Sequence, residues 1–442
     1  MSRSTDKTYH IRTFGCQMNE HDSQKMMLIL KKLNYNIVSD LNSADLIIFN
    51  TCTIREKAYH KAISEIGRSR DLKKHHPDKL IAICGCVAQQ DGNNIMEKYP
   101  EIDLVFGPDQ IHKLPIFLDA LKNRERPAAL DLINNPDEYI FIDETPSQVL
   151  SGNSFVTIMK GCNCACSYCI VPSVRGREVS RPVSDIITEI NSLVQVGAKE
   201  ITLLGQNVTA YKYKNVSLAG LIKNLSIETN IQRIRFTSPH PKDVDEKLIA
   251  EFSSNKKLCP HIHLPIQSAS NTVLKRMKRG YTKEKYLEIV YSLRAACNDI
   301  SITSDFIVGF CGETEEEFTE TMDLLNHLQL DSVFAFKYST RPNTYAAENL
   351  ADDIPKEIKE ERLERLLSLQ REITLNKNNQ LIGNSYDILV TGFDRKKTGK
   401  LMGRLANNKI VNFTGNHALI GDIVSIKVVK AYANSVEGLL NQ

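Results

Sequence analysis

No uncharged apolar run long enough to span a bilayer occurs in the 442 residues, and the segment MSRSTDKTYH lacks the apolar stretch of a secretion signal. These absences argue against a membrane-embedded or exported protein and lead us to expect a soluble, cytoplasmic one. There is no low-complexity segment and no clear internal repeat. Charge of one sign is also scarce, since the net charge is only +3. It is unevenly placed, however: from residue 381 onward eight Lys and Arg face four Asp and Glu, which leaves the preceding 380 residues at −1. A basic tail on a nearly neutral body is compatible with a polyanion partner or with an ordinary solvated surface. Eleven cysteines in a reducing compartment do not read as a disulfide framework. Clustered there, they point to metal or redox chemistry.

Over roughly the first 125 residues, short β-rich runs alternate with helical patterns, which predicts a parallel α/β sheet. Strands are expected at Tyr9–Phe14, Leu46–Asn50, Leu80–Ile83 and Asp103–Phe106, with helices around Asp22–Leu33 and Lys57–Lys73. Residues 126–150, with Pro127, Pro136 and Pro146, have the composition of a linker. The alternation then repeats six times, with strands expected at Phe155–Met159, Glu200–Leu204, Arg233–Thr237, His261–Pro265, Ser301–Val308 and Val333–Tyr338. Helices follow, among them Asp185–Val196, Asp243–Phe252, Lys283–Ala296 and Glu315–Leu328. Six βα units are too few for a closed eightfold barrel, so a partial, open (βα)6 barrel is expected. A charged helical connector over 355–380 leads into short strands with Gly and Asn turns, the texture of a small OB-like β-barrel.

Two groups of cysteines carry the chemistry. In MKGCNCACSYCIVP, thiols at Cys162, Cys164, Cys166 and Cys169 crowd a loop that follows the first barrel strand. Thiolates so spaced can wrap one face of an iron–sulfur cubane. Structural zinc is the competing use, but it usually takes two separated Cys-x-x-Cys knuckles, and no second knuckle is nearby. Spacing alone leaves Cys164, Cys166 and Cys169 as open a choice as Cys162, Cys166 and Cys169. The second group, Cys16, Cys52 and Cys86, is dispersed in sequence, yet each residue ends an expected strand: YHIRTFGC, DLIIFNTC and KLIAICGC. In a parallel sheet such ends share one edge, where open α/β sheets bind ligands. Three thiols there can converge on a second cluster. Cys84 lies inside its strand and reads as core, and Cys259, Cys297 and Cys311 have no partner at metal-site spacing.

TFGCQMNEHDS, FNTCTIREKA and ICGCVAQQ, followed in order by LLGQNV, FTSPHP, HLPIQSAS and SDFIVGFCGET, resemble the methylthiotransferase family over essentially the whole chain. That resemblance implies an N-terminal auxiliary-cluster domain (1–125), a linker (126–150), a radical S-adenosylmethionine (SAM) core (151–380) and a C-terminal RNA-binding TRAM domain (381–442). YDILVTGFDRK, LMGRL, KIVNF and GDIVSIKVV resemble TRAM. Gln17-Met18-Asn19 after the first cysteine resembles the branch acting on dimethylallyladenosine in tRNA. The branch acting on a ribosomal-protein aspartate tends to have Pro-Lys-Asn there, and the threonylcarbamoyladenosine branch Lys-Val-Asn. The family usually has Pro where this chain has Cys311, although Gly309 and Gly312 preserve the turn.

The resemblance further implies two 4Fe-4S clusters. One is held by Cys162, Cys166 and Cys169, with an iron open to SAM, Tyr168 in the aromatic position and Cys164 as a spare. The other is held by Cys16, Cys52 and Cys86. Gln206, Asn207, Ser238, Gln267 and Asp305 are then candidates to line the SAM and substrate pocket. Lys396, Lys397, Lys400 and Arg404 are candidates for phosphate contact, with the run Lys275-Arg276-Met277-Lys278-Arg279 extending the basic surface. The implied reaction replaces an adenine C–H by a methylthio group beside the anticodon of tRNA. It consumes two SAM molecules: one methylates a sulfur at the auxiliary cluster, the other is cleaved to a 5′-deoxyadenosyl radical. A low-potential donor such as flavodoxin or ferredoxin is implied, and a monomer is expected. Alternatives are a related methylthiotransferase acting on threonylcarbamoyladenosine tRNA or a ribosomal-protein aspartate, and a non-catalytic iron–sulfur RNA-binding protein.

Overall fold

A computed structural model describes residues 7–53, 56–143, 145–394 and 399–441. Lys396 and Lys397 lie outside the described residues. Two units form: one contains residues 1–146, 160–163 and 170–179, the other the remainder.

The first unit is a six-stranded parallel sheet in the order β2-β1-β3-β4-β5-β6. Its elements are β1 (Lys7–Thr13), α1 (Gln17–Lys32), β2 (Tyr35–Ile37), β3 (Leu46–Thr51), α2 (Glu56–His75), β4 (Leu80–Gly85), α3 (Cys86–Lys98), β5 (Leu104–Phe106), α4 (Leu114–Lys122) and β6 (Ala128–Ala129). A later segment adds the short helix α5 (Val171–Arg175). Side chains of β3 alternate between two cores, as the pleat requires. Leu46 and Ile48 pack with Met26, Leu30 and Phe117 on one face, Ile47 and Phe49 with Ile66, Val87 and Ile95 on the other. Helices therefore cover both faces, which is why β3 reads as an unbroken apolar run. The expected strands and helices of this unit form. The sequence reading missed β2 and β6, which are only three and two residues long.

The second unit carries two three-stranded parallel sheets. β7 (Asn153–Thr157), β8 (Glu200–Leu204) and β9 (Arg233–Phe236) run β9-β8-β7. β10 (His261–His263), β11 (Ser301–Val308) and β12 (Ser332–Lys337) form the other. A bridge from Ile234 to Leu258 links them, and the helices over Val183–Gln195, Glu246–Ser254, Lys283–Ala296 and Glu315–Leu328 pack outside. This is the open six-strand barrel. The strand expected to reach Pro265 stops at His263, and Leu264 still donates its N–H to Thr303.

A charged helix, Lys356–Asn379, leads to a closed five-stranded barrel built from Ser385–Phe393, Leu401–Leu405, Ile410–Phe413, Ile423–Ala431 and Val436–Leu440. This small barrel sits at the start of the βα strands. Arg235, ion-paired to Glu200 at 2.8 Å, donates to Leu405 O at 2.8 Å, and Arg233 donates to Asp387 O at 3.0 Å. The opposite, C-terminal ends of β7–β12 are thereby left for chemistry. No helix of the described residues is long and apolar enough to cross a membrane.

Candidate functional site

β1, β3 and β4 are neighbours in a parallel sheet, with Thr13 paired to Asn50 and Thr51 to Gly85. Their C-terminal ends thus deliver Cys16, Cys52 and Cys86 to one place. Cys16 is the N-cap of α1 and Cys86 opens α3, so two helix N-termini face the group and favour thiolate. The Cys16 and Cys52 thiols hydrogen-bond to each other. That bond foremost, opposed by burial and helped by Arg175, lowers Cys16 to about 6. Burial instead pushes Cys86 up, against the pull of Arg175. Cys84, buried in β4 with Sγ 3.8 Å from Met26 Sδ, is pushed well up by burial and belongs to the core.

Two glycines make this convergence possible. Gly15 has φ +112, and a Cβ there would lie 2.7 Å from Cys52 Sγ. Gly85 has φ +88, and its Cβ would lie 2.4 Å from Thr51 O. Backbone of a central strand cannot retreat as a side chain can. Gly85→Ala is expected to destabilise the protein by about 1–3 kcal/mol and to lower retained iron, read by urea titration and iron analysis. An unchanged midpoint would show that the edge tolerates a side chain.

Asn19 ties the Cys16 loop to the end of β3 that carries Cys52. Its Nδ2 donates to Phe14 O (3.1 Å) and Thr51 O (2.8 Å), and Asn50 Nδ2 donates back to Asn19 O (2.8 Å). Sequence reasoning missed Arg175. This buried guanidinium on α5 donates to Asn19 Oδ1 at 3.1 Å and Asp22 Oδ2 at 2.9 Å, and it hydrogen-bonds Cys86. Its only signal was its place as one of two arginines in PSVRGR, just after the dense cysteine loop. A positive charge placed against the Cys86 and Cys16 thiols suits a group bound through thiolates. The donors therefore fit an iron–sulfur cluster in charge as well as in kind.

In the dense loop, Cys162 N donates to Gly176 O at 3.1 Å. In the second unit, Cys169 N donates to Cys166 O at 3.1 Å, and Ser167 anchors the turn through Met277 O and Ala346 N. Cys166 Sγ lies 3.3 Å from Arg279 Nη1 and 3.9 Å from His240 Nε2. Tyr168, predicted as the aromatic, packs edge-on to Phe310 and lies 3.4 Å from Arg279 Nη1 through its hydroxyl. Arg279 is thus buried, and not part of a solvated basic face. Two more of that run are engaged: Arg276 pairs with Glu317 at 2.6 Å, and Lys278 Nζ sits 3.0 Å from the Tyr345 ring centre.

Four of the five pocket candidates follow strand ends of the open barrel, and Asp305 lies within β11. Gln206 and Asn207 follow β8, and Val208 N donates to Ser238 O after β9. Gln267 N donates to Asp305 O at 2.9 Å, and Asp305 lies 3.3 Å from His263. Ser238 (φ 58) and Gln267 (φ 77) occupy left-handed backbone, a conformation that clusters at functional sites. Buried Asn207 donates to Asp243 Oδ2 at 2.8 Å and to Cys164 Sγ at 3.6 Å.

Cys164, His240 and Asp243 bring potential ligand atoms within 4.8 Å of one another. Two features oppose a cation there. Asn207 already directs N–H groups at the thiol and the carboxylate. His240 Nδ1 accepts from Lys242 N, which puts the ring proton on Nε2, facing Cys166. Burial first, then Arg279 and Lys242, push His240 down to about 2, so the ring is neutral. On the small barrel, Lys400 is ion-paired to Glu437 and Arg404 donates to Asn408 Oδ1 at 2.8 Å.

Fold and cysteine pattern together define a radical SAM protein with an extra cysteine-bearing α/β domain. Residues 156–325 match the Radical SAM superfamily, 379–440 the TRAM domain and 8–107 the uncharacterized protein family UPF0004. The tRNA-2-methylthio-N(6)-dimethylallyladenosine synthase of Syntrophus aciditrophicus (strain SB) is 47% identical over 99% of this chain and 95% of its own. That of Syntrophotalea carbinolica is 45% identical over 97% and 98%. The chain belongs to the tRNA-2-methylthio-N(6)-dimethylallyladenosine synthase family. Among solved structures it resembles the radical SAM methyltransferase TsrM from Kitasatospora setae (TM-score 0.57, 15% identity, 78% of this chain and 75% of that one), a likeness of fold.

Proposed function

We propose that the chain converts N6-(dimethylallyl)adenosine beside the tRNA anticodon to its 2-methylthio derivative, with Cys162, Cys166 and Cys169 holding the SAM-cleaving cluster and Cys16, Cys52 and Cys86 the auxiliary one. The observation that carries this reading is the meeting of Cys16, Cys52 and Cys86 beside Arg175. A radical SAM barrel makes radicals for many reactions. A second thiol site on an attached sheet edge supports a reaction that needs a sulfur-bearing group. When bound, the clusters and SAM supply the radical and the methylthio group, chemistry no side chain can perform.

The protein's own groups supply position and environment. Gln206, Asn207, Ser238 and Gln267, after strand ends, and Asp305, within β11, offer hydrogen-bonding groups for SAM and the base. Reaching the mouth requires the adenosine to leave its stack, as base-modifying enzymes generally require. Lys400 and Arg404, with Lys396 and Lys397, offer cations for tRNA phosphates. We place the enzyme in the cytoplasm as a monomer, with a low-potential flavodoxin or ferredoxin as donor.

The test is nucleoside mass spectrometry of tRNA from a deletion strain. 2-Methylthio-N6-dimethylallyladenosine is expected to vanish and to return with the intact gene, but not with Cys162→Ala/Cys166→Ala/Cys169→Ala. Unchanged levels in the deletion strain would overturn the proposal.

A further inference from the structure

Arg279 poses an electrostatic question. It is only 5% exposed, yet among the described residues no carboxylate pairs with it. Its Nε donates to Tyr281 Oη (2.9 Å) and its Nη2 to Pro265 O (3.0 Å). Its Nη1 faces Tyr168 Oη (3.4 Å) and Cys166 Sγ (3.3 Å). A buried guanidinium without counter-charge is costly, and removing it from water needs compensation nearby. Tyrosine hydroxyls and a carbonyl compensate only in part. Bound to a cluster iron, the Cys166 sulfur 3.3 Å away would supply the missing counter-charge. Tyr281 holds the fork in place, because its hydroxyl also donates to Pro265 O (3.1 Å) and Ile266 O (2.8 Å).

We propose that Arg279 is a positioning residue that donates a charged N–H···S hydrogen bond to Cys166 and thereby raises the reduction potential of the cluster this cysteine holds. One-electron reduction by a low-potential donor adds one negative charge to a cubane and its thiolates. A buried cation 3.3 Å from one of those sulfurs stabilises the reduced form more than the oxidised form. Hydrogen bonds to cluster sulfurs act in the same direction. The neutral His240 ring, presenting Nε2 at 3.9 Å, adds a second, weaker donor to the same sulfur. Cys166 would thus be solvated by these protein donors as negative charge grows on its sulfur.

This inference rests on Cys166 being a cluster ligand. Cys166→Ala tests that separately, through loss of the SAM-responsive electron paramagnetic resonance signal. The experiment is an anaerobic redox titration of the reconstituted full-length enzyme, following the reduced-cluster signal that changes on addition of SAM, with SAM affinity measured alongside. In Arg279→Gln the midpoint is expected to move to more negative potential. At the wild-type midpoint, the reduced-to-oxidised ratio should fall about tenfold, which for a one-electron couple is about 59 mV. A midpoint that is unchanged or more positive overturns the proposal, and weakened SAM binding with an unchanged midpoint would make Arg279 a SAM clamp instead. If Arg279→Gln does not fold, Tyr281→Phe decides, because it loosens the fork without removing the charge. It should shift the midpoint in the same direction by less, and no shift overturns the proposal.

Discussion

The Cys16→Ala/Cys52→Ala/Cys86→Ala protein is expected to retain about half the iron of the reconstituted wild type, about four atoms in place of about eight, and to form no methylthio product. It should still cleave SAM to 5′-deoxyadenosine. The dense loop's cysteines and the barrel residues around them are untouched, whereas the edge loses every thiol it offers. Cys162→Ala/Cys166→Ala/Cys169→Ala should show the converse iron loss and no 5′-deoxyadenosine. The pair of variants separates radical formation from group transfer, with circular dichroism as the check on folding. Full iron in the first variant would show that the sheet edge holds no cluster, and the proposed chemistry would lose its second half.

Arg175→Ala should destabilise the cluster-free protein by about 3–5 kcal/mol, the cost of stranding one partner of a buried ion pair. Asp22, 2.9 Å away, is 14% exposed, and burial already pushes its carboxyl up against the pull of Arg175. Without Arg175 that upward push is unopposed. A carboxyl raised in the folded state binds its proton more tightly folded than unfolded, so stability falls as pH rises. The deficit should therefore be largest above the ordinary carboxylate range and shrink as pH drops into it. Asp22→Asn/Arg175→Met should cost less than Arg175→Ala, because neither charge is then left alone. Urea titrations of the full chain at two pH values measure both. A loss below about 1 kcal/mol, independent of pH, would mean water reaches the pair.

The sequence disclosed what depends on local pattern. Apolar runs such as Leu46–Thr51 are buried on both faces, so they are visible without tertiary knowledge. Helices such as Glu315–Leu328 were legible from sequence alone, and the structure adds a capping box at Thr314 and Glu317. β2 and β6 gave too few residues for a period to show. The candidate cysteines stood out for two different reasons: four are dense in sequence, and three repeat a position, the strand end, that a parallel sheet gathers by geometry. Arg175 and Arg279 were not legible. A single cation in a chain rich in surface Lys and Arg has no period and no spacing, and Arg279 sat in a run that looked like a solvated face.

What the amino-acid sequence offered alone is therefore the order of α/β and β segments and the candidate thiols, because periodicity and strand termini are local properties. Only the tertiary structure decided which charges are buried against which sulfurs. The guanidinium at Cys86 comes from a helix some ninety residues further along the chain, and the one at Cys166 from beyond a later barrel strand. Desolvation and Coulomb energy act through space, so neither partner carries a mark of the other in its own neighbourhood of sequence.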